Sequence, residues 1–416
     1  MDKSRLYVDY QLDTCLDVTK VARTVAGEQS SGTFVSVPGE SEELIRRSLA
    51  RVESVADAGP TPGAVLAGSK GNGSARRYRM MISWPTENFG LSLPNIIAAI
   101  AGNLFELKEV AGLKIKDIHF PDAIRHQYKG PAFGMAGTRE LTGVFERPLI
   151  GTIVKPSVGM SAKETAAVVK SLCEGGIDFI KDDELQADGP LCPFADRVGE
   201  VMRVIDDYQE KSGKKVMYAF NLTGATDEMR RRHDLLVARR ATCAMVSLNS
   251  VGIGALMDLR SYCQLPIHAH RNGWGYLGRS ENNGWDYVAW QKIWRLIGVD
   301  HMHVNGIDNK FWEPNESVVR SAQACTEPMF EDKPCAVVPV FSSGQTVWQV
   351  HRTSSFMPDG DLIYCAGGGI MAHPDGISAG VESLRMAWDA ARNNVSLEEA
   401  ARSSEKLTHA MEKFRY

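Results

Sequence analysis

The chain has 416 residues, with 47 Lys or Arg, 51 Asp or Glu and a net charge of −4. That length allows two domains with sizeable cores. The balanced charge, without a basic block, argues against nucleic acid, and no apolar run approaches the ~20 residues of a membrane span. The start, Met1-Asp2-Lys3-Ser4-Arg5, shows no apolar signal region. The eight cysteines include no Cys-x-x-Cys pair and are expected as buried thiols of a reduced, cytoplasmic compartment.

Residues 1–140 read as an α+β module of ferredoxin-like type. Leu6 to Leu12 alternates like a strand, and Asp17 to Ala26 is predicted as a helix capped by Asp17. Thr33 to Val37 reads as a strand and Ser41 to Val55 as an amphipathic helix. Gly59 to Ala75, rich in Gly, Pro and Ser, reads as an exposed loop. Arg77 to Trp84 follows as a strand and Pro94 to Phe105 as a helix.

From Pro148 the rhythm becomes strict alternation. Strands are expected at Leu149–Lys155, Ile177–Lys181, Val216–Leu222, Ala244–Leu248, Pro266–His270, His301–Val304, Ala336–Phe341 and Leu362–Cys365. Helical stretches separate them, from Ala162–Glu174 to Ile377–Arg392. Eight such units across 141–395 predict a (β/α)8 TIM barrel, with a helical tail over 396–416.

The stretch Gly175-Gly176-Ile177-Asp178-Phe179-Ile180-Lys181-Asp182-Asp183-Glu184 closes the second strand. Strand side chains alternate faces, so Lys181 and Asp183 point the same way and Glu184 follows at the strand end. In water such a cluster is a solvated turn, but at the end of a buried strand it requires a counter-charge. Mg2+ meets that requirement, since it takes carboxylate oxygens and keeps positions open for water and substrate. An ammonium at Lys181 would repel the ion. Reaction of its neutral amine with CO2 gives a carbamate ligand, although neutralising a lysine at pH 7 costs roughly 4–5 kcal/mol.

A barrel places its active site at the C-terminal ends of its strands, and polar residues collect there. Lys155 ends the first strand and Asn221 the third. His268, His270 and Arg271 end the fifth, and His301, His303 and Asn305 the sixth. Ser342-Ser343-Gly344 and Gly367-Gly368-Gly369 end the last two. Singly, such histidines are structural and such glycines turn the chain, but seven strand ends carrying site chemistry at one rim argue for an active site. The N–H groups of Ser343, Gly344, Gly368 and Gly369 suit a phosphate. Arg271 suits bidentate pairing with another anionic group. The set suits proton abstraction beside a carbonyl, with Mg2+ stabilising the enolate.

These segments resemble the large-subunit RuBisCO superfamily over nearly the whole chain. The Lys181-Asp182-Asp183-Glu184 stretch is similar to its metal segment, and Thr152-Ile153-Val154-Lys155-Pro156 to the segment of its active-site lysine. His268-Ala269-His270-Arg271 and Asp300-His301-Met302-His303 resemble its histidine segments. Lys310 matches the lysine of its mobile loop, and the two glycine turns match its phosphate turns. Glu28-Gln29-Ser30-Ser31-Gly32-Thr33-Phe34 and Gly102-Asn103-Leu104-Phe105 resemble segments that reach a neighbouring subunit's site. The resemblance implies one Mg2+ on carbamylated Lys181, Asp183 and Glu184, with Asp182 structural. It implies proton transfer by Lys155 with help from His270, and closure by Lys310. Substrate and phosphate contacts are implied for Arg271, His303, Ser342, Ser343, Gly344, Gly367, Gly368, Gly369, Glu28, Thr33 and Asn103. A homodimer or larger assembly with shared active sites is implied as well.

Departures from the carboxylating pattern touch CO2 and phosphate handling and spare the metal. Ser157 stands where a second lysine follows Lys155-Pro156, and Gly273-Trp274 where a histidine follows His270-Arg271. Phe34 replaces a tryptophan, Ser343 replaces a glycine, and Asn305-Gly306-Ile307-Asp308-Asn309 lacks a Val-Val-Gly run. The expected activity is that of a RuBisCO-like (form IV) enzyme acting on a small phosphorylated sugar acid, without carboxylation of ribulose bisphosphate. Decarboxylation of 3-oxo-isoapionate 4-phosphate ranks first among the branches resembled. Its transcarboxylase/hydrolase, the methionine-salvage enolase and the methylthioribulose-phosphate isomerase are alternatives. A non-catalytic metabolite-binding relative is the reading from another class.

Overall fold

The computed structural model describes residues 2–32, 38–71 and 73–415. Its strands, in chain order, are β1 (Arg5–Thr14), β2 (Arg51–Pro60), β3 (Arg76–Pro85), β4 (Gly112–His119), β5 (Leu149–Ile153), β6 (Phe179–Lys181), β7 (Met217–Asn221), β8 (Cys243–Ser247), β9 (Ile267–His270), β10 (Asn283–Trp285), β11 (His301–His303), β12 (Val338–Phe341) and β13 (Ile363–Cys365). The chain forms two compact units, 1–129 with 273–296, and 130–272 with 297–416. This division falls ahead of the expected boundary after 140 and assigns residues 273–296, expected in the barrel, to the first unit.

The first unit holds a five-stranded sheet in the order β10-β4-β1-β3-β2. Leu6, Val8, Tyr10 and Leu12 of β1 and Met80, Ile82 and Trp84 of β3 are all buried. Helix Val18–Glu28 begins where Asp17 accepts from the Lys20 N–H, as its sequence predicts, and it buries Val21, Ala22 and Val25. The expected helix over Ser41–Val55 is corrected. It spans only Glu42–Ser48, and the chain then enters β2, which pairs antiparallel with β3. β2 carries no fully buried residue, so Val52 and Val55 serve an edge strand whose alternation is masked by polar neighbours. Strand β4 was not anticipated from the sequence. Leu113 and Ile115 alternate, but a register shift at Asp9/Tyr10 moves Ile118 out of step. The strand expected at Thr33–Val37 lies outside the described residues.

In the second unit, β11-β12-β13-β5-β6-β7-β8-β9 close a barrel. All neighbouring pairs are parallel, as expected from the eight alternating units. Leu149, Phe179, Met217, Ala219, Cys243, Met245, Val338, Val340, Ile363 and Cys365 fill its interior. The helix Gly134–Thr142 packs Met135 and Leu141 against this core. Outer helices show ordinary start signals, such as the Ser161/Glu164 capping box of Ala162–Glu174. The tail forms two helices, Leu397–Ala401 and Glu405–Lys413.

Candidate active site

Strand alternation sorts the acidic stretch. Lys181, in register with Ile153 and Ala219, is fully buried. Its Nζ donates to the Asp182 carbonyl at 2.8 Å and lies 3.5 Å from Glu184 Oε2. The Asp182 carboxylate faces a different set, accepting from Tyr218 Oη at 2.6 Å, the Asn221 N–H at 2.8 Å and Arg197, whose Nη2 is 3.1 Å away. Asp182 and Arg197 are both fully buried, so this ion pair is part of the framework.

Asp183 accepts from Lys155 Nζ at 2.6 Å, and Lys155 also donates to Ser157 Oγ at 2.7 Å. Glu184 Oε2 lies 3.5 Å from His270 Nε2. Burial works to raise both carboxyls. Lys155 outweighs it at Asp183, and His270 with Lys181 outweighs it at Glu184, so both sit below the usual carboxylate range. Burial and the nearby Lys181 push His270 down to about 4, leaving a neutral ring that can take up a proton.

The other histidines form a column inside the barrel. Thr138 Oγ1 donates to the Gly134 carbonyl at 2.5 Å, so it accepts from His301 Nε2 at 2.8 Å. His301 Nδ1 meets His268 Nδ1 at 3.3 Å, His268 Nε2 meets His303 Nε2 at 2.8 Å, and His303 Nδ1 meets Ser342 Oγ at 3.0 Å. A neutral imidazole offers one donor and one acceptor. The column therefore has a single direction, with Ser342 donating to His303 at its upper end. Burial lowers the pKa of all three rings, that of His301 to about 3.

Arg271 is buried beside Glu313, its Nη2 donating to Glu313 Oε2 at 2.5 Å. Glu313 was not anticipated from the sequence. A buried arginine at a strand end requires a counter-charge, and the first acid after Lys310 supplies it. Lys310 is exposed on the loop between β11 and helix Asn315–Thr326, and its N–H donates to the Ser343 carbonyl at 3.2 Å. Ser343 holds φ +71°, a left-handed conformation that favours glycine, and its hydroxyl bonds Asn305 Oδ1 at 2.9 Å. Gly367 precedes the one-turn helix Gly368–Met371, so Gly368 and Gly369 present first-turn N–H groups, which a helix leaves unpaired. A Cβ on Gly369 would lie 2.5 Å from the Gln345 carbonyl oxygen, which is why only glycine fits there.

The structure thus brings Lys155, Lys181, Asp183, Glu184 and His270 together, and it places Lys310 beside the Ser343 turn. Of the predicted residues in the first unit, Glu28 ends its helix, and Asn103 opens the short 3-10 turn Asn103–Glu106. Thr33 lies outside the described residues. The donor set fits a hard divalent cation: two carboxylates flank a buried lysine whose conversion to a carbamate would add a third oxygen ligand.

The family model for the ribulose bisphosphate carboxylase large chain catalytic domain matches residues 134–414, and that for its N-terminal domain matches 2–124. The chain belongs to the RuBisCO large-chain family. A 3-oxo-isoapionate-4-phosphate transcarboxylase/hydrolase of Xanthobacter autotrophicus is 52% identical over 98% of each chain. A 3-oxo-isoapionate-4-phosphate decarboxylase of Rhizobium rhizogenes is 41% identical, again over 98% of each. The crystal structure of a RuBisCO-like protein from Burkholderia fungorum superposes with a TM-score of 0.92 at 41% identity, covering 98% of this chain and 99% of that one. Within the RuBisCO family, the chain is thus similar to RuBisCO-like members across both domains.

Proposed function

We propose that the chain is a Mg2+-dependent enzyme that removes the carboxyl group of 3-oxo-isoapionate 4-phosphate by way of an enolate. The observation that carries this is the convergence of buried Lys181 with Asp183, Glu184, Lys155 and His270 from the C-terminal ends of β5, β6 and β9, together with two kinds of relative named for this substrate. Carbamylated Lys181, Asp183 and Glu184 would hold the ion. A divalent cation there supplies positive charge where an enolate oxygen develops. Loss of a carboxyl group from the carbon beside a ketone, as in a β-oxo acid, breaks one C–C bond and leaves its electron pair as that enolate. When the carboxyl group leaves as CO2, Lys155 then delivers a proton to the reacting carbon, and neutral His270 assists that transfer. Lys310 closes over the substrate from its loop. The N–H groups of Gly368 and Gly369 hold the phosphate.

The fate of the carboxyl group separates two outcomes. The relative at 52% identity is named for transfer and hydrolysis and those at 41% for decarboxylation. Identity therefore favours transfer with hydrolysis here, with decarboxylation second. Substrate labelled with 13C in its carboxyl group, incubated with Mg2+ and bicarbonate, tests both. Label in an acid product supports transfer and hydrolysis, and label in CO2 supports decarboxylation. No reaction, or turnover indifferent to Mg2+, rejects the proposal.

A homodimer with shared sites and a cytoplasmic location complete the reading. Family membership and eight free cysteines support them, and no helix among the described residues is long and apolar enough to cross a membrane.

A further inference from the structure

Both side chains expected to hold an anion at the ends of β9 and β11 are engaged within the chain. Arg271 Nη2 donates to Glu313 Oε2 at 2.5 Å, and Asn305 Nδ2 donates to the same oxygen at 2.7 Å. Ser317 Oγ donates to the other oxygen at 2.8 Å. Glu313 is 4% exposed, so three donors fix a buried carboxylate against the guanidinium. Separating such a pair leaves a buried charge uncompensated, which is strongly unfavourable. His303 is also engaged, with Nε2 on His268 and Nδ1 accepting from Ser342. A phosphate arriving at Arg271 meets a carboxylate already in place, and the two like charges repel through a medium of low dielectric. The glycine turns differ. A Cβ added at Gly368 would meet nothing within 4 Å, and one at Gly344 would have atoms of Lys310 as its nearest neighbours, none closer than 3.5 Å.

We infer that Glu313 is a specificity-determining residue that closes the Arg271 end to a phosphate. The site then takes substrates phosphorylated at one end only. That phosphate lies at the glycine turns, and an uncharged, hydroxylated part of the substrate lies toward Arg271. The inference deepens the proposed function and rests on it for the placement of the site. It adds a substrate class, singly phosphorylated oxo acids, and a reason for rejecting bisphosphates.

Calorimetric titration with ribulose 5-phosphate and ribulose 1,5-bisphosphate, in Mg2+ and bicarbonate, tests it. The native protein should bind the monophosphate at least about threefold more tightly than the bisphosphate, since the second phosphate meets the Glu313 carboxylate and specificity is a difference of affinities. In Glu313→Gln the amide oxygen still accepts from Arg271 and Asn305, and its NH2 faces Ser317, so only the charge is lost. That variant should bind the bisphosphate at least about tenfold more tightly, with the monophosphate changed by less than about threefold. A native preference for the monophosphate below about threefold, or any preference for the bisphosphate, overturns the inference. So does a folded Gln variant with the native ratio. Should that variant fail to fold, the native ratio still decides. Binding of neither sugar phosphate overturns both this inference and the site. Absent turnover of 3-oxo-isoapionate 4-phosphate, with the native preference for the monophosphate kept, rejects only the proposed function.

Discussion

Lys155 Nζ lies 2.6 Å from Asp183 Oδ2, the lysine side chain 42% exposed and the carboxylate 2%. The pair joins the end of β5 to the end of β6, so a residue proposed to move protons is held by one proposed to bind metal. Lys155→Met should lower turnover about 10^2- to 10^4-fold, the range for a lost general acid–base. The lysine is partly exposed but its partner carboxylate is buried, so leaving Asp183 without it should lower stability by about 1–3 kcal/mol. Rate assays beside urea denaturation separate the two effects, and a variant that merely unfolds would refute the catalytic role.

Lys181→Ala removes the amine proposed to become a carbamate. Mg2+-dependent turnover should fall to background, and Mn2+ added in its place should give no bound-ion signal by electron paramagnetic resonance. Unchanged activity would reject the carbamate.

Asp182 is one residue along and should behave differently. Asp182→Ala strands Arg197 in the interior, at about 3–5 kcal/mol of stability. The urea midpoint should fall accordingly, and a change below about 1 kcal/mol would contradict a framework role.

Lys310→Ala should leave unfolding within about 0.5 kcal/mol of the native value, as exposed substitutions do, while slowing the chemical step. Single-turnover rates with the labelled substrate provide the check. Unfolding in place of slowing would show that the loop carries the fold.

Acid should weaken the barrel at Asp178. Its carboxylate takes Arg147 Nη1 and Lys214 Nζ, each at 2.5 Å. Burial pushes this carboxyl up, but Arg147 and Lys214 outweigh it and hold it below the usual range. A carboxyl with a depressed folded pKa adds stability that is present above the unfolded value of about 3.9 and lost as pH falls through the folded one. Asp178→Asn should therefore be less stable than the native chain at pH 7 and show a flatter decline between pH 5 and pH 2. Parallel curves would count against this account.

The barrel was legible because eight apolar runs alternate with helical stretches, a pattern set by burial of parallel strands on both faces. The metal-type cluster was legible because three acids follow a lysine at a strand end. The edge strand β2 was not, since an exposed strand lacks the apolar alternation that marks one, and its first residues continue a helical rhythm. Nor was the partner of Arg271, because Glu313 reaches it through the fold of a loop. Only the demand of a buried cation for a counter-charge pointed toward such a residue.

The directed column from Thr138 to Ser342 has a consequence for the rim above it. Each of its rings is uncharged and already has its donor and acceptor matched, so the barrel axis offers few dipoles free to reorient. A change in charge at Lys181, such as ammonium to carbamate, is then poorly damped from below. Were Lys181 to carry the proposed carbamate, that change would reach the rim at close to full strength, and one modified amine would act as a switch for the whole pocket.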